Sequence, residues 1–293
     1  MTTIGLVGAG IMGGPMARKF IEAGYAVVAT DVSSAALEKV RELGAATAES
    51  PAAVARAALV ILLSLPNAAI VEACLTGPTG LLAGAAPGTI IANTSTIDPQ
   101  STRRLAKLAA ENDVVFMDTP ILGRPDAAGA WGMPVGGEVA HLETLRPVLS
   151  VIAGHIFHAG GLGAGNVVKL LNNLMFGAIN AMTAEMMAIA ERLGVAPATL
   201  YEIMVKSNGG AVSNLFRELG KRIANENYDN PAFSVRLLTK DITLGLAMAE
   251  EGGIPSMIGN AVDYLNRMAL SQGLGEKDTS VMWKSVARSM RRS

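Results

Sequence analysis

The chain opens with a short β-type run, Thr3 to Val7, that passes straight into Gly8-Ala9-Gly10-Ile11-Met12-Gly13 and then into a helical stretch from Gly14 to Ala23, closed by Gly24. Strand, G-x-G-x-x-G and helix in that order constrain the backbone severely. Gly8 permits a tight turn, Gly10 lets the main chain approach a pyrophosphate, and Gly13 allows the helix to pack close to the strand. The free N–H groups and positive end of the helix then face the phosphates. A second strand, YAVVATD, follows at once and ends in Asp31, near the spacing of an acid that binds a ribose hydroxyl pair. The unit predicts dinucleotide binding. A carboxylate at Asp31 repels a 2′-phosphate and no arginine follows it, so NAD is preferred over NADP. A second role for Asp31, capping the next helix as a turn residue, stays open at this level.

Further strand-like runs alternate with helical stretches: ALVILLSLP, GTIIANTST, VVFMDTPIL, MPVGG and HIFHAG. That alternation predicts a mostly parallel, doubly wound sheet, with ligands gathering at the carboxyl ends of its strands. Ser64-Leu65-Pro66, Ser95-Thr96 and the loop after Pro120 stand at such ends. Taken singly, each is also ordinary turn chemistry.

Beyond Gly165 the strand pattern stops. A long helix is expected from Gly163 to Leu193, apolar on nearly every side, followed by five helical stretches punctuated by Gly194, Gly220, Gly252-Gly253 and Gly273. The chain therefore reads as α/β: an N-terminal doubly wound domain, 1–162, joined by a long interdomain helix to an all-α domain, 163–293. At 100° per residue, Asn166, Lys169, Asn173, Gly177 and Asn180 share one narrow stripe of the long helix. A helix apolar all round is normally buried, and burying an ammonium is costly unless something compensates it. Two readings of Lys169 follow: a site residue facing a cleft where the domains meet, or a side chain that snorkels to solvent along its own stem. In the first, it can act as general acid on a carbonyl or base on a hydroxyl.

Composition excludes several function classes. Net charge is −1, and no basic block exceeds the Arg291–Arg292 pair, so no nucleic-acid partner is expected. The single cysteine, Cys74, rules out a disulfide framework, and the three histidines lack neighbours that would complete a metal site. The apolar stretches are interrupted by Ser64, Pro66, Asn67 or Pro87, so no membrane span is expected. The run TTIGLVG at the start shows no signal-peptide pattern, and a cytoplasmic protein is expected.

Four motifs resemble the β-hydroxyacid dehydrogenase family, which includes 3-hydroxyisobutyrate dehydrogenase and tartronate semialdehyde reductase. Gly8 through Ala17 looks like its cofactor loop, Asn93-Thr94-Ser95-Thr96-Ile97-Asp98-Pro99 like its second cofactor loop, and Gly163-Ala164-Gly165 through Lys169 to Asn173 like its catalytic helix. Phe233 with Lys240-Asp241 resembles its late cofactor-contacting helix. The resemblance spans nearly the whole chain. It implies a Rossmann domain whose Gly8, Gly10, Ile11, Met12, Gly13, Asp31, Leu65, Pro66 and Thr96 hold NAD, with Lys240 closing over it. It also implies Lys169 as general acid/base, Asn173 and Asn172 beside the substrate, and assembly as a homodimer or homotetramer through the helical domain.

One departure bears on the substrate. The family's substrate loop usually reads Asp-x-Pro-Val-Ser-Gly-Gly; here Asp118-Thr119-Pro120-Ile121-Leu122-Gly123-Arg124-Pro125 stands in its place. Leu122 removes the serine hydroxyl, and Arg124 brings a planar, permanently charged fork suited to an anion. A Gly-Arg here resembles the sulfolactaldehyde reductase branch, where arginine grips a sulfonate. Leu122, Gly123 and Arg124 are thus candidate contacts to the acid group of a small anionic substrate, whether carboxylate or sulfonate. The alternative is a surface pair between Arg124 and Asp126, which contributes little. The expected activity is NAD-dependent hydride transfer at the CH–OH/C=O carbon of a small acidic hydroxy compound. The alternatives are an imine-reductase-like enzyme, against which Lys169 counts, and a dinucleotide-binding module without catalysis.

Overall fold

The structure is a computed structural model and describes residues 2–207 and 213–290; the Arg291–Arg292 pair lies outside them. In chain order the elements are β1 (Thr3–Val7), α1 (Gly13–Glu22), β2 (Ala26–Thr30), α2 (Ser34–Glu42), β3 (Ala46–Thr47), α3 (Pro51–Ala57), β4 (Val60–Leu63), α4 (Ala68–Leu75), β5 (Ile90–Asn93), α5 (Pro99–Ala110), β6 (Val115–Asp118), β7 (Trp131–Gly136), α6 (Val139–Ile152) and β8 (Ala153–Gly160). Among the described residues, helices then follow without further strands: α7 (Ala164–Arg192), α8 (Pro197–Lys206), α9 (Asn214–Ala224), α10 (Val235–Glu251), α11 (Met257–Ser271) and α12 (Met282–Met290). Each run read as a strand in the sequence is one. The two-residue β3 escapes a pattern search because so short a segment has no period to detect.

Contacts divide the chain into two compact units, 1–169 and 170–293. The first contains an eight-stranded sheet of order β3-β2-β1-β4-β5-β6-β7-β8. All its ladders are parallel except β6 with β7, which meet antiparallel at Asp118 and Gly136. Strand alternation builds two apolar layers. Ile4, Leu6, Leu62 and Met117 face one side with Met16 and Phe20 of α1 and Leu145 and Leu149 of α6. Ile61, Leu63, Ile91 and Phe116 face the other, with Val54 of α3, Val71 of α4 and Leu105 of α5. Strands covered on both faces must be apolar throughout, which is why β4 reads Val-Ile-Leu-Leu. The order reverses at β1, between β2 and β4, and the glycine loop lies at that switch point.

The second unit is helical around Met187, Phe216, Leu238, Ile242, Val262, Met282 and Trp283. Glycines let its helices approach. A Cβ on Gly177 of α7 would lie 2.8 Å from both Ile242 Cδ1 and Val262 Cγ1, and one on Gly245 of α10 would lie 2.9 Å from Leu174 Cγ. The all-round burial expected for α7 is corrected in part. Its stripe is buried at Asn166, Asn173 and Asn180, yet Leu171, Met175, Met182 and Ile189 are 53, 63, 58 and 42 % exposed.

Candidate active site

In the first unit, Gly8 turns the chain at φ +94°, and a Cβ there would stand 2.2 Å from the Ser64 carbonyl oxygen. A Cβ on Gly13 would lie 1.9 Å from the Gly8 oxygen, so both positions exclude any side chain. Gly10 has open space where a Cβ would be, and Ile11 beside it is exposed. The loop borders a cavity of about 670 Å³ lined by Ala9, Gly10, Ile11, Gly14, Pro15 and Ser33 among others. Met12, at the N-cap of α1, makes no side-chain cap, and no acidic residue occupies the first turn. By contrast α2, α3, α4 and α5 are capped by the side chains of Ser33, Ser50, Asn67 and Asp98. The α1 terminus thus keeps its N–H groups clear of side-chain acceptors beside an open cradle, the arrangement a dinucleotide pyrophosphate requires.

Asp31 follows the end of β2. Its Oδ2 accepts from the Ala9 N–H at 2.6 Å and its Oδ1 from the Ser33 N–H at 2.8 Å. The cap of α2 falls to Ser33, whose hydroxyl accepts from Ala36 N at 3.3 Å. Asp31 braces the glycine loop against β2 and places its carboxylate there, with acceptor capacity left for hydroxyl donors. Leu65 lies against the glycine turn, its Cδ2 3.2 Å from a Cβ built on Gly8. Its N–H donates to Ser95 Oγ at 2.9 Å, tying the loop after β4 (Leu65, Pro66) to the loop after β5 (Ser95, half-buried Thr96). The sequence showed Ser95 at a strand end and within the second cofactor-loop motif; its role as a brace needed the parallel register of β4 and β5.

The substrate-loop candidates are held by β7. Leu122 exchanges two backbone hydrogen bonds with Gly132, at 2.8 and 3.1 Å, and the Trp131 indole N–H donates to the Arg124 carbonyl at 2.7 Å. Gly123 is required there, because a Cβ would lie 2.3 Å from Trp131 Cδ1. Arg124 is half-buried with its terminal guanidinium nitrogens out of solvent, so the fork is not a solvated surface group. Lys169 is half-buried and donates from Nζ to the Ile121 carbonyl at 2.7 Å, joining the lysine to the same loop. Asp118, at the end of β6, is fully buried and accepts from the Gly163 and Asn166 N–H groups, each at 2.9 Å. Burial pushes its carboxyl above the usual carboxylate range, and those amides oppose the shift. The Asn166 amide donates to Thr102 Oγ1 at 2.9 Å, a structural use of one stripe residue.

In the second unit, Asn173 Nδ2 donates to Asp241 Oδ2 at 2.5 Å, and its Oδ1 accepts from the exposed Asn172 at 3.0 Å. Lys240 Nζ stands 2.7 Å from Asp241 Oδ1. This unit therefore gathers Asn172, Asn173 and Lys240 around Asp241, a buried carboxylate that fixes which way the Asn173 amide points. Asn180 is spent on structure, donating to the Thr279 carbonyl at 3.0 Å. Among the described residues no group of three His, Cys, Asp or Glu is placed to hold a metal ion, and no helix is long and apolar enough to cross a membrane.

A glycine cradle at the switch point of a doubly wound sheet, an acid after the second strand and a lysine at the first turns of a long helix define a nicotinamide-dependent oxidoreductase. Comparison with known proteins narrows the class. Residues 3–161 match the NAD binding domain of 6-phosphogluconate dehydrogenase, and residues 163–286 match the NAD-binding domain of NADP-dependent 3-hydroxyisobutyrate dehydrogenase. The 2-(hydroxymethyl)glutarate dehydrogenase of Eubacterium barkeri is 36 % identical over 96 % of this chain and 93 % of its own. The NAD-dependent L-serine dehydrogenase of Pseudomonas aeruginosa is 33 % identical over 97 % of each chain. Among solved structures, Mycobacterium tuberculosis 3-hydroxyisobutyrate dehydrogenase with L-serine superposes with a TM-score of 0.85 at 27 % identity, covering 98 % of this chain and 99 % of that one. The chain belongs to the β-hydroxyacid dehydrogenase family, among its 3-hydroxyisobutyrate dehydrogenase-like members. It is an NAD-dependent oxidoreductase acting on the CH–OH group of small acids.

Proposed function

We propose that Lys169 is the general acid/base of this reaction and that Arg124 grips the acid group of the substrate, a 3-hydroxy acid, its semialdehyde or a hydroxysulfonate. The observation that carries this reading is the 2.7 Å bond from Lys169 Nζ to the Ile121 carbonyl. It puts the proton-transferring nitrogen against the segment that bears Leu122, Gly123 and Arg124, so one short loop serves both proton transfer and anion binding. NAD, when bound, supplies the hydride acceptor. Its phosphates are assigned to the loop from Gly8 to Gly13, its ribose to Asp31, and its further contacts to Leu65, Pro66, Thr96 and Lys240. In oxidation the Lys169 amine takes the hydroxyl proton at Nζ; in reduction its ammonium returns it. The Ile121 carbonyl accepts one Nζ hydrogen and so aims the nitrogen. Asn173, oriented by Asp241, is assigned to the substrate together with Asn172.

Residues 1–162 are proposed as the cofactor-binding domain and 163–293 as the domain for substrate contacts and assembly. The partner is a small anion, and the compartment is the cytoplasm. Assembly as a homodimer or homotetramer is supported by the exposed apolar residues of α7.

The test is NADH formation from NAD with 3-hydroxyisobutyrate, L-serine, 2-(hydroxymethyl)glutarate and a hydroxysulfonate, run beside Lys169→Ala and Arg124→Ala. One substrate should turn over, Lys169→Ala should lower kcat by about 100-fold or more, and Arg124→Ala should raise KM about tenfold or more. Full activity in Lys169→Ala rejects the acid/base assignment, and an unchanged KM in Arg124→Ala rejects the anion clamp.

A further inference from the structure

We infer that Asp118 is a positioning residue for Lys169: its buried carboxylate, bonded to the first-turn amides of α7, sets the height of that helix against the segment that presents the Ile121 carbonyl to Lys169 Nζ. The inference rests on Lys169 as the acid/base group. Asp118 has no exposed surface, and it accepts from Gly163 N and Asn166 N at 2.9 Å each. Three residues onward from Asp118 is Ile121, and three onward from Asn166 is Lys169. The bond between Lys169 Nζ and the Ile121 oxygen closes a ring that runs through Asp118, Asn166, Lys169 and Ile121. Both ends of the ring are hydrogen bonds, so a shift of the helix at one end must be felt at the other.

The surroundings are built to admit this carboxylate. A Cβ on Gly136 would stand 2.4 Å from Oδ1, and one on Gly165 would stand 2.9 Å from Oδ2, so both neighbours are cleared for the two oxygens. Asp118 itself is held in register with Asn93 on one side and Gly136 on the other, which leaves its backbone no freedom to follow the helix. The two amides are served by different oxygens, Gly163 N–H by Oδ1 and Asn166 N–H by Oδ2. An asparagine would turn an NH2 donor toward one of those N–H groups, leaving a buried donor unpaired. A negative charge there also complements the positive end of α7. Because a displacement of about 1 Å at a reacting group costs roughly 100-fold in rate, such a brace acts on turnover rather than on ligand affinity.

The experiment compares wild type, Asp118→Asn, Lys169→Ala and the double variant, with NADH binding followed by fluorescence and the best substrate of the panel above. Rates are expressed per NADH-binding site, which removes any loss of folded protein. Asp118→Asn should lower kcat about tenfold or more, leave KM and the NADH Kd within about twofold, and cause no further loss in the Lys169→Ala background. An unchanged kcat per site overturns the inference, as does an equal loss of rate in both backgrounds. Lys169→Ala with full activity overturns the acid/base reading instead, so the two failures are separable. Should Asp118→Asn not fold, Asp118→Ser, which keeps one acceptor in a smaller side chain, is read in the same way. Amide hydrogen exchange on the wild-type enzyme is independent of any variant: slow exchange at Gly163 and Asn166 is expected, and exchange as fast as in an open turn overturns the inference.

Discussion

Lys169 and Asn173 stand on the same stripe of one helix, yet what makes each useful comes from elsewhere in the chain. The stripe was legible because a lysine and three asparagines on an otherwise apolar helix break the pattern. Their pairing was not legible: Ile121 offers a backbone carbonyl, and Asp118 and Asp241, though each lies in a recognised motif, show their bonds to the long helix only once buried against it. Tyr228 illustrates the same point outside the site. Its hydroxyl is buried, and burial pushes the phenol up to about 12 even though Trp283 donates to its oxygen at 2.6 Å, which favours ionisation. In the unfolded chain a tyrosine loses its proton near pH 10. Between that value and about 12 the folded protein holds the extra proton, so stability is intact below pH 10 and falls as pH rises through this window. Tyr228→Phe should lose less stability than wild type between pH 10 and 12, by about 2 kcal/mol, in thermal melts across that range. Parallel pH profiles would show that Tyr228 ionises at its ordinary value.

At the level of elements, the strands were readable because burial on both faces demands continuous apolar runs. The antiparallel entry of β7 was not, since a single bridge between Asp118 and Gly136 leaves no mark in hydrophobic periodicity. Nor was the reason for glycines inside the later helices. Gly245 in mid-helix looks like a weak point, and alanine there would gain about 1 kcal/mol of helix propensity. Its Cβ would stand 2.9 Å from Leu174 Cγ and 3.0 Å from Leu174 Cδ1, a branch point that cannot swing aside as a chain end can. Overpacking of this kind costs about 1–3 kcal/mol. Gly245→Ala is therefore expected to lower stability by about 1 kcal/mol in urea titration, and a gain in stability would show that α7 and α10 can separate freely.

For the whole molecule, α7 carries Met175, Met182 and Ile189 at seven-residue intervals, with Leu171 beside them, all exposed. A recurring apolar stripe left in water on a long helix is the usual mark of helix-to-helix association. A dimer or tetramer is expected by light scattering at micromolar concentration, and Met175→Glu with Met182→Glu should shift it toward monomer. A monodisperse wild-type monomer would remove the proposed role of the helical unit in assembly.

The nucleotide-binding half was legible in the sequence alone, because the chemistry is local: three glycines, one helix start and one acid lie within a single strand–helix–strand unit. The position of the lysine was settled for the same reason, by helical periodicity. Which groups aim that lysine was decided only by tertiary structure. Asp118 and Ile121 reach α7 across a sequence separation that no periodic signal spans, and a carboxylate becomes a brace only once β6 and its neighbours have excluded water from it.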